Sequence, residues 1–420
     1  MSDDEQFNEA FGEHTGISQR CRDCINDIRQ IRRIKDFSLH NEDRFMDLSW
    51  RLLGRYISNN SHLEKVVLIN CGITDEKMAS FFYELTYSTS LKELYLCGNS
   101  FGIEGVQSMI PFLTDTNLSY INLARNNINT DCFELLVQTM HGRPSGDRTF
   151  EFHLNISECG ITNISALDTY TLQNIQQLNL SDNNIGREGC ITISNLLQQE
   201  GSNLIYLDLE NTGMGDEEAE LLATSLKHNT KLEILYMANN NITEKGEGAF
   251  LQLLVDASSI KNTYNSNYTL TYLRFDISTR DKTTMIGHIN SAVQLNKLNQ
   301  SSRHSAGRAK VIRYQLNSIN RKNLCRLQGI DYSSIGNLFA DIEPVLLPRT
   351  LALTGREHGQ SDFYTALISM VPDLMSCVDT SGMMKALLMK DEARATKILR
   401  YKWLNLLVNK QLFLLRFLNE

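Results

Sequence analysis

Apolar residues recur along this chain at one fixed spacing. Leu91, Leu94 and Leu96, followed by Asn99 and Phe101, set out the pattern L-x-x-L-x-L-x-x-N-x-L. It falls again on Leu63, Val66, Leu68, Cys71 and Ile73, and on Leu118, Ile121, Leu123, Asn126 and Ile128. Further copies occupy Ile175, Leu178, Leu180, Asn183 and Ile185, then Leu204, Leu207, Leu209, Thr212 and Met214, then Leu232, Leu235, Met237, Asn240 and Ile242. A shorter copy uses Leu154, Ile156, Cys159 and Ile161, and reduced copies begin at Ile34 (with Phe37 and Leu39) and Leu270 (with Leu273 and Phe275). Nine copies, six of them near complete, are too many for chance. Side chains alternate between the two faces of a strand, so each copy predicts a short strand whose apolar positions point inward.

Each strand is followed by a segment with helical periodicity, expected at 75–88, 103–114, 131–140, 187–199, 216–228 and 244–256. Ahead of the first copy, Ile17, Cys21, Cys24, Ile28 and Ile31 step by 4, 3, 4 and 3, which predicts a capping helix over 17–33. That helical face accounts for Cys21-Arg-Asp-Cys24 better than a redox or zinc pair does. No second Cys-x-x-Cys or paired histidine completes a metal site. The acidic residues 1–16 are expected to be disordered.

The pattern resembles the leucine-rich repeat family over residues 34–302. Copies starting at 34, 63, 91 and 118 are 29, 28 and 27 residues apart, and those at 175, 204 and 232 are 29 and 28 apart. With a helix in each repeat, this length resembles the ribonuclease-inhibitor subtype, and Gly-Ile-Glu-Gly-Val (102–106) and Gly-Arg-Glu-Gly-Cys (186–190) match its strand-to-helix linker. The resemblance implies an α/β solenoid: a horseshoe with a parallel sheet inside and helices outside. It also implies that the Asn position turns the chain and bonds backbone groups of adjacent turns. Cys71 and Cys159 take that position here, a substitution the family also shows. Regularity is broken by excess residues at 141–149 and 258–268, candidate recognition loops, and 162–174 is too short for a full helix.

Residues 303–420 depart from the repeat and are expected to form a mostly α-helical C-terminal domain. They hold 17 Lys+Arg against 10 Asp+Glu, whereas the preceding 302 residues hold 24 against 39. This basic stretch is read first as a solvated helix face. The apolar run within 381–418 is read as buried core or as a contact for self-association. Arg356–Asp362, together with Arg321–Cys325, resembles the tail of ribonuclease-inhibitor-like repeat proteins of diatoms and related algae, which implies no activity. Helix capping explains Ser361 and Asp362 without a catalytic triad.

The whole chain has 420 residues and a formal charge of -8, which argues against indiscriminate nucleic-acid binding. An acidic start and the lack of a long apolar run predict neither a signal peptide nor a membrane span. Nine cysteines at low density then predict reduced thiols and a cytoplasmic location, with the nucleus as the alternative. No phosphate loop, metal cluster or nucleophile motif is present, so no catalytic residue, metal or cofactor is assigned.

The third, fifth and seventh template positions should face the concave side. They bring together Tyr95, Tyr120, His153, Tyr206, Tyr236 and Tyr272 as anchors, with Asp182, Asp208 and Glu210 setting a charge that favours a basic protein partner. The expected function is therefore a non-enzymatic protein-binding module and scaffold. Two other readings compete. The Ran GTPase activators resemble this subtype, but they carry an acidic tail and no motif here matches their catalytic arginine. The third reading is a scaffold that oligomerises through its C-terminal helices.

Overall fold

Nine strands pair side by side in chain order, every neighbour parallel. They are β1 (Asp36–His40), β2 (Lys65–Ile69), β3 (Glu93–Tyr95), β4 (Tyr120–Asn122), β5 (Phe152–Asn155), β6 (Ile175–Asn179), β7 (Tyr206–Asp208), β8 (Ile234–Tyr236) and β9 (Tyr272–Arg274). The computed structural model describes residues 2–85, 88–141, 152–199, 201–275, 285–300, 302–315 and 318–330. The expectations for residues 142–149, 356–362 and 381–418 therefore lie outside the described residues.

Parallel neighbours need a crossover, and here each is a helix. Two helices precede the sheet, α1 (Asp3–Phe11) and α2 (Gln19–Arg29). The crossovers are α3 (Asp47–Asn59), α4 (Asp75–Leu85), α5 (Ile103–Asp115), α6 (Thr130–His141), α7 (Thr169–Asn174), α8 (Gly186–Gln198), α9 (Asp216–Ser225), α10 (Glu244–Leu254) and α11 (Ile260–Asn265). After β9 come α12 (Met285–Leu298), α13 (Arg303–Lys310) and α14 (Ser318–Leu327). The six-residue α7 fills the stretch too short for a full helix.

Inward positions of the strands, such as Val66, Leu68, Leu94, Leu96, Leu207 and Leu235, are completely buried. The facing helices contribute Phe81, Phe112, Phe133 and Phe250, also completely buried. Between strand and helix the Asn position forms the ladder expected of it. Asn183 Nδ2 donates to the carbonyls of Ile156 (2.9 Å) and Leu180 (3.0 Å), while its Oδ1 accepts from the N–H groups of Cys159 (3.2 Å) and Ile161 (3.0 Å). Asn99 and Asn240 repeat the arrangement. Cys159 keeps only the donor half: its Sγ–H reaches the Leu123 and Ser157 carbonyls at 3.4 and 3.3 Å. Burial pushes the thiols of Cys71 and Cys159 up to about 11, so they stay protonated donors at neutral pH. The eight described cysteines carry no disulfide.

The residue before each ladder position has positive φ, from Asn41 and Asn70 through Gly98, Arg125, Glu158 and Asp182 to Asn211 and Asn239. Most are Asn, Asp or Gly, the types that tolerate this conformation. Arg125 and Glu158 are exceptions, and their side chains bridge one another at 2.6 Å.

At the N-terminal end the structure differs from expectation. Where disorder is expected over 1–16, Ser2 caps α1 through a reciprocal bond with Glu5, and Ala10 and Phe11 are fully buried. Arg29 of α2 ties α1 down by pairing with Asp3 (2.6 Å) and with Asp4. Acidity alone misled here, because the capping box and the apolar pair at 10–11 order the segment. The predicted 17–33 helix spans Gln19–Arg29, starting from a Ser18 cap; Cys21, Ile25 and Ile28 are buried, while Ile31 lies beyond the helix and is 50% exposed.

By contact the chain divides into two units, Met1–Val255 with Ser266–Ala306, and Asp256–Asn265 with Gly307–Glu420. The excess at 258–268 is accounted for by this division rather than by an open loop. Its helix α11 belongs to the second unit, where Gln315 Nε2 donates to Thr263 Oγ1 (2.7 Å) and Gln328 Oε1 accepts from the Ala257 N–H (2.9 Å).

Candidate protein-binding face

Strand register decides which outward side chains become neighbours. One column runs Lys65, Glu93, Tyr120, His153, Gln177, Tyr206, Ile234, Tyr272, and the next runs Val67, Tyr95, Asn122, Asn155, Asn179, Asp208, Tyr236, Arg274. All the aromatic candidates thus share the face of the sheet opposite the core. They do not form a continuous strip. Tyr95 stacks on Tyr120 with ring centroids 4.7 Å apart, and His153 meets Tyr120 edge-on at 6.0 Å. A second cluster joins Tyr206 to Tyr236 (5.4 Å) and Tyr236 to Tyr272 (5.1 Å). Between them, Gln177, Asn179 and Ser181 leave a strip of small polar groups on β6 and just beyond it.

The two clusters carry different charge. At the first, the Lys65 ammonium lies 4.6 Å from the Tyr95 ring centroid and 3.0 Å from Glu93, whose carboxylate also accepts from the Tyr95 hydroxyl. At the second, the Tyr206 hydroxyl donates to Asp208 Oδ2 at 3.1 Å, and Glu210 pairs with Arg274 at 3.1 Å. Burial raises the Tyr206 hydroxyl well above its ordinary value, and the Asp208 charge adds to it. Burial likewise raises the Asp208 carboxyl, opposed by the hydrogen bonds it accepts from the Glu210 N–H and Tyr206. Tyr95, Tyr120 and Tyr236 are raised too, first by burial. These phenols stay neutral at physiological pH, and those of Tyr95 and Tyr206 donate to Glu93 and Asp208.

The acidic candidates occupy three different environments. Asp182 is exposed at a positive-φ turn position and accepts from Asn211 Nδ2 at 2.9 Å. Glu210 is partly exposed and engaged with Arg274. Asp208 is buried, with 7% exposure, so it presents little charge to a partner. Its Oδ1 accepts from the N–H two residues on, at 3.0 Å, as do Asn122 (3.0 Å), Asn155 (3.0 Å) and Asn179 (2.9 Å) in the same column. These side chains close the turn at the end of each strand. An unbroken run of Asn and Asp in that column was the available signal. Sequence reasoning also missed the role of Arg274 as internal counter-charge, since that pairing crosses two strands.

A parallel sheet laid down one strand per repeat, a helix in every crossover and a ladder at the turn define a leucine-rich-repeat solenoid. The chain is a leucine-rich-repeat protein of ribonuclease-inhibitor-like type. A family model described as leucine rich repeat matches residues 171–194 and 228–249. Among similar curated proteins, mouse NACHT, LRR and PYD domains-containing protein 5 is 25% identical over 225 residues, covering 46% of this chain and 19% of that protein. Pig ribonuclease inhibitor is 23% identical over 270 residues, covering 56% of this chain and 57% of the inhibitor. The chain therefore matches less than two thirds of the length of either relative. Among solved structures, an internalin from Listeria monocytogenes aligns at 15% identity with a TM-score of 0.33, over 56% of this chain and 54% of that one. No helix among the described residues is long and apolar enough to cross a membrane.

Proposed function

We propose that the protein is a non-enzymatic binding module whose exposed sheet face holds a protein partner through two anchors, Tyr95–Tyr120–His153 and Tyr206–Tyr236–Tyr272. One observation carries this reading: the inward strand positions are buried, while the aromatic rings gather outward in two half-exposed clusters. Packed tyrosines offer large contact area with little rotamer freedom left to lose, which suits interface hot spots. The polar strip between the clusters supplies hydrogen-bonding groups without bulk. Relatives of this repeat type support the class, and the pig relative by its name inhibits a ribonuclease, itself a protein. Glu210 and Asp182 favour a partner with a basic side chain, which would take the place of Arg274 beside Glu210.

The test compares wild type, Tyr95→Ala/Tyr120→Ala, Tyr206→Ala/Tyr236→Ala and a control on the helical side, Arg187→Ala, in affinity capture followed by titration of the captured partner. Hot-spot tyrosines are each worth roughly 1–3 kcal/mol, so either tyrosine pair should weaken binding by about thirtyfold or more. Full retention of partners by both tyrosine variants, with folding intact, would remove the sheet face from the function.

A further inference from the structure

A cavity of about 410 Å³ lies where the first three strands begin, and no part of the aromatic face is needed to form it. The residues just ahead of β1, β2 and β3 are Lys35, Glu64 and Lys92, and backbone pairing fixes them as a column. The N–H groups of Glu64 and Lys65 donate to the Lys35 carbonyl at 2.8 and 3.0 Å, and those of Lys92 and Glu93 donate to the Glu64 carbonyl at 2.8 and 3.0 Å. The Glu64 carboxylate consequently sits between two ammonium groups, 3.5 Å from Lys35 and 3.1 Å from Lys92. Arg33 and His62 line the same cavity with the hydroxyls of Ser61 and Thr89, while the Ser90 hydroxyl donates to the Asn60 carbonyl at 3.1 Å.

Three permanent cations therefore face one carboxylate, in a stretch of 302 residues that holds 24 Lys+Arg against 39 Asp+Glu. The lining contains no Leu, Ile, Val, Met, Phe, Tyr or Trp, and its charged groups are three cations and one carboxylate. Guanidinium and ammonium donors gathered around one hollow are the chemistry that holds a phosphoryl oxyanion. We propose that this cavity binds a phosphate monoester, carried on a phosphorylated side chain of a polypeptide. The polypeptide source rests on the binding face proposed above: Glu64 and Lys92 immediately precede Lys65 and Glu93, the first positions of the outward column, so the hollow borders that face. Glu64 holds the two lysines in register when the site is empty and opposes the incoming dianion when it fills.

That dual role makes the test directional. The full-length protein is titrated calorimetrically with N-acetyl-phosphoserine amide, with unphosphorylated N-acetyl-serine amide, with inorganic phosphate, and with vesicles containing phosphatidylinositol 4-phosphate. Wild type should bind the phosphoserine amide and not the serine amide, with affinity falling as salt rises. Arg33→Ala/Lys92→Ala should weaken this binding at least tenfold, whereas Glu64→Gln should strengthen it severalfold, both at an unchanged unfolding midpoint. A Glu64→Gln variant that binds no better, or an Arg33→Ala/Lys92→Ala variant that binds equally well, overturns the site. Binding of inorganic phosphate or of the vesicles without binding of the phosphoserine amide overturns the assignment to a phosphorylated side chain.

Discussion

Asp208 shows how one position serves the fold and the surface together. It closes its turn as Asn122, Asn155 and Asn179 close theirs, yet it bears a carboxylate that burial penalises. A carboxyl whose pKa is raised on folding holds a proton that the unfolded chain has already released. The folded state is therefore disfavoured progressively as pH rises from the unfolded value, about 3.9, through the raised folded one, and the cost persists at neutral pH. Asparagine would keep the turn bond and remove that cost. Asp208→Asn should match or exceed wild type in urea unfolding at pH 7, with its relative advantage shrinking at pH 3 to 4. An equal loss at both pH values would show that the carboxylate does something asparagine cannot. The buried thiols belong to the same scale: Cys190, like Cys71 and Cys159, is pushed up by burial, to about 12, and acts as a small packed donor rather than a reactive group.

Between elements, the spacing of helices depends on a glycine and an aspartate in successive repeats. Asp75 Oδ1 accepts from the N–H groups of Gly102 (2.7 Å) and Gly105 (2.8 Å), so the carboxylate that opens α4 also caps α5. Asp216 does the same for α10 through Thr243 (2.8 Å) and Gly246 (2.9 Å). A side chain at Gly105 would bring its Cβ within 2.7 Å of Asp75 Oδ1 and 2.8 Å of Phe101 Cβ. Gly248 in α10 has room, with only Met285 Cε at 3.6 Å. Gly105→Ala should therefore destabilise by about 1–3 kcal/mol through forced separation of α4 and α5. Gly248→Ala should stabilise by about 0.5–1 kcal/mol, because alanine loses less backbone freedom on entering a helix. Chemical denaturation of the two variants checks both signs, and a stabilising Gly105→Ala would disprove the close-approach argument.

On the scale of the whole repeat unit, each repeat touches mainly its neighbours, so stability is transmitted along the sheet strand by strand. The ends then matter most. At the N-terminal end Phe7, Phe11, Phe45, Trp50, Phe81, Phe82 and Phe112 form a run of rings, successive centroids 5.2 to 6.0 Å apart. Phe11, from the segment expected to be disordered, links Phe7 to Phe45. Phe11→Ala should cost about 3–5 kcal/mol. It should lower hydrogen-exchange protection in β1 and α3 well before β7 and β8, since nearest-neighbour coupling localises the loss. Uniform loss across all strands would show that the unit unfolds as one block.

The sequence alone determined the repeat, its strands, most of its helices and the columns that face outward. A period of about 28 residues repeats the same local physics, so Leu96, Asn99 and Phe101 say the same thing in every copy. It also placed Cys71 and Cys159 in the ladder, because the position defines the role. The gathering of the aromatic residues into two clusters was decided by the tertiary structure, since register and ring orientation between strands set that grouping. Tertiary structure likewise set Arg274 beside Glu210, ordered residues 3–11 against α2 and α3, and assigned α11 to the second unit. Each of these rests on contacts between residues far apart in the chain. A pattern of local spacing carries the rule for one repeat, whereas what one repeat does to the next appears only when they stack.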